Sequence, residues 1–135
     1  MAERTLAIIK PNAVAAGNSG LIIHLLELNK FNIKRMQKME LTKQQAEAFY
    51  AVHKERPFFG ELVETMTSGP VVVMALERDN AILGWRELMG ATDPNKAAFG
   101  TLRKMFGANI GMNAVHGSDS PGTAQTELKF FFPDL

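Results

Sequence analysis

Short apolar runs separate longer stretches of mixed character along this chain. Thr5 to Ile9 and Val71 to Leu76 are apolar and bounded by charged or turn residues, which is typical of strands buried on both faces in the middle of a sheet. Ile33 to Leu41 alternates imperfectly between apolar and polar residues and predicts a further strand. Phe130 to Phe132 predicts a fourth.

Helices are predicted between these strands from their end signals. Thr42 and Gln45 have the form of a capping box, and Ser120 before Pro121 is typical of an N-cap followed by proline at the first helical position. Apolar spacing predicts two more helices, Leu21 to Leu28 after a turn at Gly17 to Gly20, and Ala81 to Met89 between Asp79 as N-cap and Gly90 as terminator. Strands and helices in alternation predict an α/β sandwich.

Length and composition narrow the class of protein. The 135 residues suit one compact domain, residues 1–135. A formal net charge of +1 from 15 basic and 14 acidic residues provides no broad field for nucleic acid or an anionic membrane, so any anion site must be local. The chain has no cysteine, which fits a reducing cytoplasm, and its longest apolar run, Val71 to Leu76, is too short to span a bilayer. We therefore expect a soluble cytoplasmic protein with no membrane partner and no dedicated nucleic-acid site.

His116 is the main candidate for chemistry. It lies in Asn113-Ala114-Val115-His116-Gly117-Ser118-Asp119, which predicts a polar loop just before the helix that opens at Ser120. An imidazole there can act as a nucleophile when its neighbours fix its tautomer, and the following helix N-terminus favours an anionic group. Gly117 leaves room beside it. A lone loop histidine is, however, usually only a solvated side chain.

The motif around His116 resembles the active-site motif of nucleoside diphosphate kinases, in which Asn-x-x-His-Gly-Ser-Asp carries a transiently phosphorylated histidine. Further segments resemble that family in the same order, from about Arg4 to about Phe132. They are Thr5-Leu6-Ala7-Ile8-Ile9-Lys10-Pro11, Arg56-Pro57-Phe58-Phe59, Met66-Thr67-Ser68-Gly69-Pro70-Val71-Val72, Arg86-Glu87-Leu88-Met89-Gly90-Ala91-Thr92 and Gly100-Thr101-Leu102-Arg103.

The resemblance implies a ferredoxin-like, four-stranded antiparallel sheet with helices packed on it. It also implies ping-pong transfer of the γ-phosphoryl group of a nucleoside triphosphate, mainly ATP, to nucleoside diphosphates through a phosphohistidine at His116. Mg²⁺ would be the cofactor, held by nucleotide phosphates and not by direct protein ligands, with Asp119 a candidate to hold one of its waters. A homo-oligomer is implied, either a tetramer or a hexamer, with a dimer as a further alternative.

Phosphoryl transfer needs cations and donors spread around the phosphates. The resemblance assigns this role to a set of residues whose alternative interpretation is ordinary solvated surface side chains. The nucleotide-binding residues implied are Lys10, Phe58, Arg86, Thr92, Arg103 and Asn113. The two arginines can each present a planar fork of donors to phosphate oxygens, and Asn113 would contact the sugar and phosphate.

Phe58 and Phe59 are adjacent at a predicted helix start, so both cannot face the same core. An exposed ring can stack on any nucleobase, and the resemblance selects Phe58 for this role with Leu62 on the other edge of the base. Supporting residues are also implied: Tyr50 near the histidine and phosphate, Glu127 pairing with the His116 ring so that Nδ1 is free, and Ser118 and Asp119 as partners. Without the resemblance, Tyr50 is an amphipathic core residue and Glu127 an ordinary helix glutamate.

Two positions depart from the usual family pattern, namely Asn12 in place of aspartate and Phe99 in place of proline.

Two rival functions remain. A nucleic-acid-binding ferredoxin-like domain without kinase activity could use Phe58 or Phe131 for stacking, but it leaves the histidine motif unexplained. A histidine-dependent phosphatase is disfavoured because Val115, and not an arginine, precedes His116.

Overall fold

A four-stranded antiparallel sheet forms the centre of the computed structural model, which describes residues 2–135. The strands, in chain order, are β1 (Ala2–Ile9), β2 (Asn32–Met39), β3 (Val71–Asp79) and β4 (Val115–Gly117). Their order across the sheet is β2-β3-β1-β4. The two runs predicted to be central strands therefore do lie in the middle, and their apolar residues are almost completely buried.

Helices cover both faces of this sheet. They are α1 (Pro11–Ala15), α2 (Ser19–Leu28), α3 (Lys43–Phe49), α4 (Phe59–Met66), α5 (Ala81–Met89), α6 (Leu102–Phe106) and α7 (Pro121–Phe131), with a short 3-10 turn at Ala51–His53. Alternate residues of β1 divide the core: Ala7 and Ile9 pack with α2 and α5, and Leu6 and Ile8 pack with α4 and α7. The predicted α/β sandwich is confirmed.

The predicted capping box at Thr42 and the predicted N-cap at Ser120 both form, and Ser120 also forms a capping box. Thr42 Oγ1 accepts from the backbone of Gln45, whose side chain accepts from the backbone of Thr42. At α7 the backbone amide of Thr123 donates to Ser120 Oγ, and the backbone amide of Ser120 donates to Thr123 Oγ1. The imperfect alternation in β2 also has a structural reason, because its register with β3 shifts between Ile33 and Arg35.

The predicted fourth strand at Phe130 to Phe132 is wrong. Phe130 and Phe131 end α7, and Phe131 and Phe132 pack against the core. The fourth strand is instead β4, so His116 lies on a strand and not in a loop, opposite Ile8 of β1. Three residues are too few for an alternating pattern, whereas a run of three aromatic residues has the β-propensity of a strand.

The predicted N-cap of α5 is also wrong. Asp79 is the last residue of β3, and Asn80, in the left-handed region at φ 54°, occupies the cap position. The amide of Ile82 donates to the Glu3 carboxylate at 2.9 Å, so a side chain distant in sequence satisfies this helix end. The two five-residue helices, α1 and α6, were not predicted, since one helical turn carries little periodic signal.

Candidate active site

A cleft of about 660 Å³ opens beside β4, in the size range of small-molecule sites. All of the predicted nucleotide-binding residues line it. Its lining also includes Tyr50, Leu62, His116 and Asp119. Ser118 and Glu127 are not part of this lining and contact His116 or each other instead. Folding thus brings together residues from Lys10, just after β1, to Asp119, just before α7.

His116 has a fixed hydrogen-bond partner. Its Nε2 lies 3.1 Å from Glu127 Oε1, which also accepts from Ser118 Oγ at 2.7 Å. A carboxylate oxygen only accepts, so Nε2 carries a proton, and in the neutral ring Nδ1 therefore keeps its lone pair. The side chains of His116 and Glu127 are about one-fifth exposed, which limits competition from water for this bond. The arrangement is that of a nucleophile and the group that orients it.

Aromatic rings extend from His116 along the cleft. Tyr50 packs edge-on to the His116 ring at 6.0 Å between centroids and stacks with His53 at 6.5 Å. His53 in turn lies 5.5 Å from Phe58. Phe58 is 48% exposed, whereas Phe59 packs into the core, so the two neighbouring rings do face different surroundings.

The Tyr50 hydroxyl is buried without a hydrogen-bond partner among residues 2–135. Burial, followed by the nearby Glu127 carboxylate, raises the pKa of this phenol above its ordinary value. It therefore stays protonated at neutral pH and keeps a donor at the cleft wall.

Lys10 is a buried cation at the end of β1. Its Nζ donates to Asn113 Oδ1 at 2.8 Å, and Asn113 Nδ2 donates to the Thr92 carbonyl at 3.0 Å. Burial and then repulsion from Arg103 lower the pKa of Lys10 from 10.5 to about 8. A single amide contact compensates little of the charge, so an anion in the cleft would be favoured.

The two arginines are held differently. Arg103 lies on α6 and donates to the carbonyls of Gly90 and Val115 at 3.1 and 3.0 Å, while Arg86 on α5 pairs with Asp119 at 2.6 Å. Burial, and then the Arg86 charge, lowers the pKa of Arg103 to about 10, which leaves it cationic at neutral pH. Both guanidinium groups border the space next to His116.

Carboxylates are few in this cleft. Asp119 and Glu61 line it, and Asp119 already accepts from Arg86. Across residues 2–135 there is no group of three or more histidine, cysteine, aspartate or glutamate side chains that could hold a metal ion. Such a donor set fits a Mg²⁺ ion bound mainly through phosphates and water, and it does not fit an all-protein cage.

Several cleft residues were missed by the sequence reasoning. Met89, Glu61, Ile110 and Gly111 line the cleft in addition to the predicted set. Glu61, Ile110 and Gly111 lie outside every quoted motif, and Met89, although inside the segment from Arg86 to Thr92, was given no role. His53, at the end of the short 3-10 turn, also lines the cleft.

The two departures from the family pattern lie outside the cleft lining. Asn12 Nδ2 donates to the carbonyl of Met112 at 3.2 Å, which ties α1 to the loop before Asn113. Phe99 is 93% exposed, and the Lys104 ammonium lies 5.6 Å from its ring centroid.

Comparison with known proteins shows the family to which this chain is similar. The family model described as "Nucleoside diphosphate kinase" matches residues 3–135. Curated proteins named nucleoside diphosphate kinase include one from Sorangium cellulosum, 54% identical over 96% of this chain and 90% of its own length, and one from Nitratiruptor sp., 58% identical over 96% and 95%.

Solved structures agree as well. The nucleoside diphosphate kinase of Aquifex aeolicus superposes with a TM-score of 0.95 at 46% identity, covering 98% of this chain and 96% of that one. A halophilic nucleoside diphosphate kinase from Halobacterium salinarum, solved in complex with CDP, gives a TM-score of 0.96 at 39% identity, covering 99% and 90%.

The four-stranded sheet with its covering helices is shared with these proteins, and together with the family match it identifies this chain as a phosphotransferase that handles nucleotides. The expectation of an enzyme is confirmed, and the alternative of a nucleic-acid-binding domain without kinase activity is not favoured. This chain belongs to the nucleoside diphosphate kinase family. Within residues 2–135 there is no helix with the length and apolar character needed to cross a membrane.

Proposed function

We propose that His116 is the nucleophile of this nucleoside diphosphate kinase. The Nδ1 lone pair forms a bond to the γ-phosphorus of a nucleoside triphosphate, mainly ATP, while the bond from that phosphorus to the β–γ bridging oxygen breaks. The electron pair leaves with the nucleoside diphosphate. In the second half-reaction a terminal β-phosphate oxygen of another nucleoside diphosphate attacks the phosphorus, and the P–N bond breaks. GTP, CTP, UTP and deoxynucleoside triphosphates are the products.

The hydrogen bond from His116 Nε2 to Glu127 is the observation that carries this proposal. Phosphorylation of Nδ1 leaves both ring nitrogens substituted and the ring positively charged, and a carboxylate on Nε2 stabilises that charge. Ser118 donates to the same Glu127 oxygen and so keeps it in place. Both groups are therefore assigned as positioning residues.

Binding of the phosphates is assigned to Lys10, Arg86, Arg103, Thr92 and Asn113. Their cations and donors surround His116, where three equatorial oxygens carry the charge of the transition state. The unpartnered Tyr50 hydroxyl supports the same assignment, because a phosphate oxygen would satisfy it.

The nucleoside is assigned to the end of the cleft at Phe58 and Leu62. Phe58 is exposed enough to stack on a base, and every base has a π face, so broad base tolerance follows. The CDP bound by the Halobacterium salinarum relative is consistent with a nucleotide in this cleft.

Magnesium is proposed as the cofactor that accompanies the nucleotide. When bound to the phosphates it neutralises charge on the β- and γ-oxygens, with Asp119 as the residue that would hold it through water. The chain's own cations orient the same oxygens.

The protein is further proposed to be a cytoplasmic homo-oligomer, a tetramer or hexamer, with a dimer as the smaller alternative. The absence of cysteine supports that compartment. Strand β2 lies at an edge of the sheet, and Met36 on it and Leu21 and Leu28 on α2 are more than half exposed, which supports self-association. Sedimentation of the purified protein measures the subunit number.

Intact mass spectrometry under non-acidic conditions tests the nucleophile. After incubation with ATP and magnesium and removal of nucleotide, the protein should carry one added phosphoryl group that GDP then removes as GTP. His116→Ala should never acquire it. His24→Ala is the matched control, because His24 is exposed on α2 outside the cleft, and it should be labelled like the wild type. A wild-type chain that is never labelled refutes the proposal.

A further inference from the structure

Trp85, the only tryptophan of the chain, is in direct contact with the strand that carries His116. It lies on α5, one residue before Arg86, and is completely buried. Its indole Nε1 donates to the backbone carbonyl of His116 at 3.1 Å, and Phe31 packs edge-on against the indole at 6.4 Å. The indole therefore holds the main chain of the proposed nucleophile.

Gly117 is the residue that allows this contact. A Cβ at Gly117 would lie 2.5 Å from Trp85 Nε1 and 2.6 Å from Met89 Cε, too close for any real side chain. The sequence predicted that Gly117 would leave open room beside His116. In the structure the Trp85 indole occupies the space where a side chain of residue 117 would lie. The glycine and the tryptophan form a complementary pair.

Strand β4 depends on such side-chain bonds. It has only three residues and pairs with β1 alone, which provides little stability by itself. The carbonyl of His116 accepts from Trp85 on α5, and the carbonyl of Val115 accepts from Arg103 on α6. Both helices that donate hydrogen bonds to β4 also carry a proposed phosphate-binding arginine, Arg86 on α5 and Arg103 on α6.

We propose that Trp85 is a positioning residue for phosphoryl transfer, holding the His116 main chain at a fixed place relative to Arg86. This inference rests on the proposed role of His116. Nucleophile and phosphate ligand then belong to one rigid body, because Trp85 and Arg86 are consecutive residues of one helix. A misplacement of about 1 Å at a reacting group can lower a rate by about 100-fold, so a modest release of β4 has a measurable effect.

The test uses Trp85→Phe, which keeps an aromatic ring and deletes the N–H donor. The rate of His116 phosphorylation at saturating ATP, followed in a single turnover by intact mass, should fall by about tenfold. The dissociation constant for ADP, measured by titration calorimetry, should stay within about twofold, because the phosphate and base contacts remain. A merely structural role does not predict this separation of rate from binding.

Phe31→Leu is the matched control. It removes packing from the other side of the indole and leaves the bond to His116 in place. It should lower the melting temperature and leave the phosphorylation rate unchanged. If both variants lose rate in proportion to their loss of stability, or if Trp85→Phe reacts like the wild type, the inference is overturned.

A measurement on the wild type guards against a Trp85→Phe protein that does not fold. With one tryptophan, a ¹⁵N-labelled sample gives a single indole N–H resonance. Phosphorylation of His116 should shift that resonance, whereas an unmoved signal in a phosphorylated protein overturns the inference. A wild type that never acquires a phosphoryl group overturns the proposed function and this inference together; a phosphorylated wild type with an unaffected variant overturns the inference alone.

Discussion

Replacing Lys10 by methionine should stabilise the fold while removing activity. Lys10 is only 6% exposed, and its ammonium group has one amide partner, Asn113. Its pKa is lowered from 10.5 to about 8, which corresponds to a penalty of about 3 kcal/mol for keeping this charge in the folded state. Methionine has a similar shape and no charge, so it removes that penalty.

The substitution also removes a hydrogen bond. Asn113 Oδ1 loses its donor in Lys10→Met, at about 1–2 kcal/mol for a buried acceptor. The net expectation at pH 7 is therefore a gain of about 1–2 kcal/mol in the free energy of unfolding. Phosphotransferase activity should be lost, since a proposed phosphate ligand is gone.

The difference in the free energy of unfolding between Lys10→Met and the wild type should change with pH in a defined direction. Below pH 8 both folded and unfolded chains carry the proton on Lys10, and the penalty is fully present. Between about pH 8 and 10.5 the unfolded chain binds more protons than the folded one, so the wild-type free energy of unfolding rises with pH. The advantage of Lys10→Met should therefore shrink and then reverse, because only the lost hydrogen bond remains.

Urea unfolding of both proteins from pH 7 to pH 10 measures this difference, in which titrating groups that do not interact with Lys10 cancel. Lys96→Met serves as the control, since Lys96 is exposed, and it should give a small difference that does not depend on pH. A Lys10→Met protein that is less stable than the wild type by the same amount at every pH would refute the argument that burial of the charge is costly here.

Three further predictions concern single contacts. Asp119→Asn should change the free energy of unfolding by less than about 1 kcal/mol in urea titration, because the Arg86–Asp119 ion pair is largely exposed. Phe58→Ala should weaken ADP and GDP alike by about tenfold in calorimetry, through loss of base stacking worth about 1–3 kcal/mol; a loss for one base only would contradict this role. Ala114 is held at φ 77° with its methyl group buried in the core, so Ala114→Gly should change the free energy of unfolding by less than about 1 kcal/mol, because relief of strain offsets the lost burial; a loss above about 2 kcal/mol would contradict strain at this position.

Local signals in the sequence were sufficient where the interaction itself is local. The capping box at Thr42, the N-cap at Ser120 and the end of α5 at Gly90 form as predicted, because their partners lie within a few residues. Apolar runs located the two central strands, since burial on both faces requires them. The resemblance to a family named the phosphate-binding residues, which composition and spacing could not have distinguished from surface side chains.

Tertiary structure decided the features that depend on distant partners. Strand β4 has three residues and exists because β1 offers an edge for it, while the more strand-like Phe130 to Phe132 packs as the end of a helix. The Glu3 cap of α5 joins residues 79 positions apart, and the bond from Trp85 to His116 joins residues 31 apart. By itself the sequence determined the two central strands and the signals at the ends of several helices, because these follow from local periodicity and from partners a few residues apart. The environment of His116 was decided only when the chain folded, because its partners come from segments that are not neighbours in sequence.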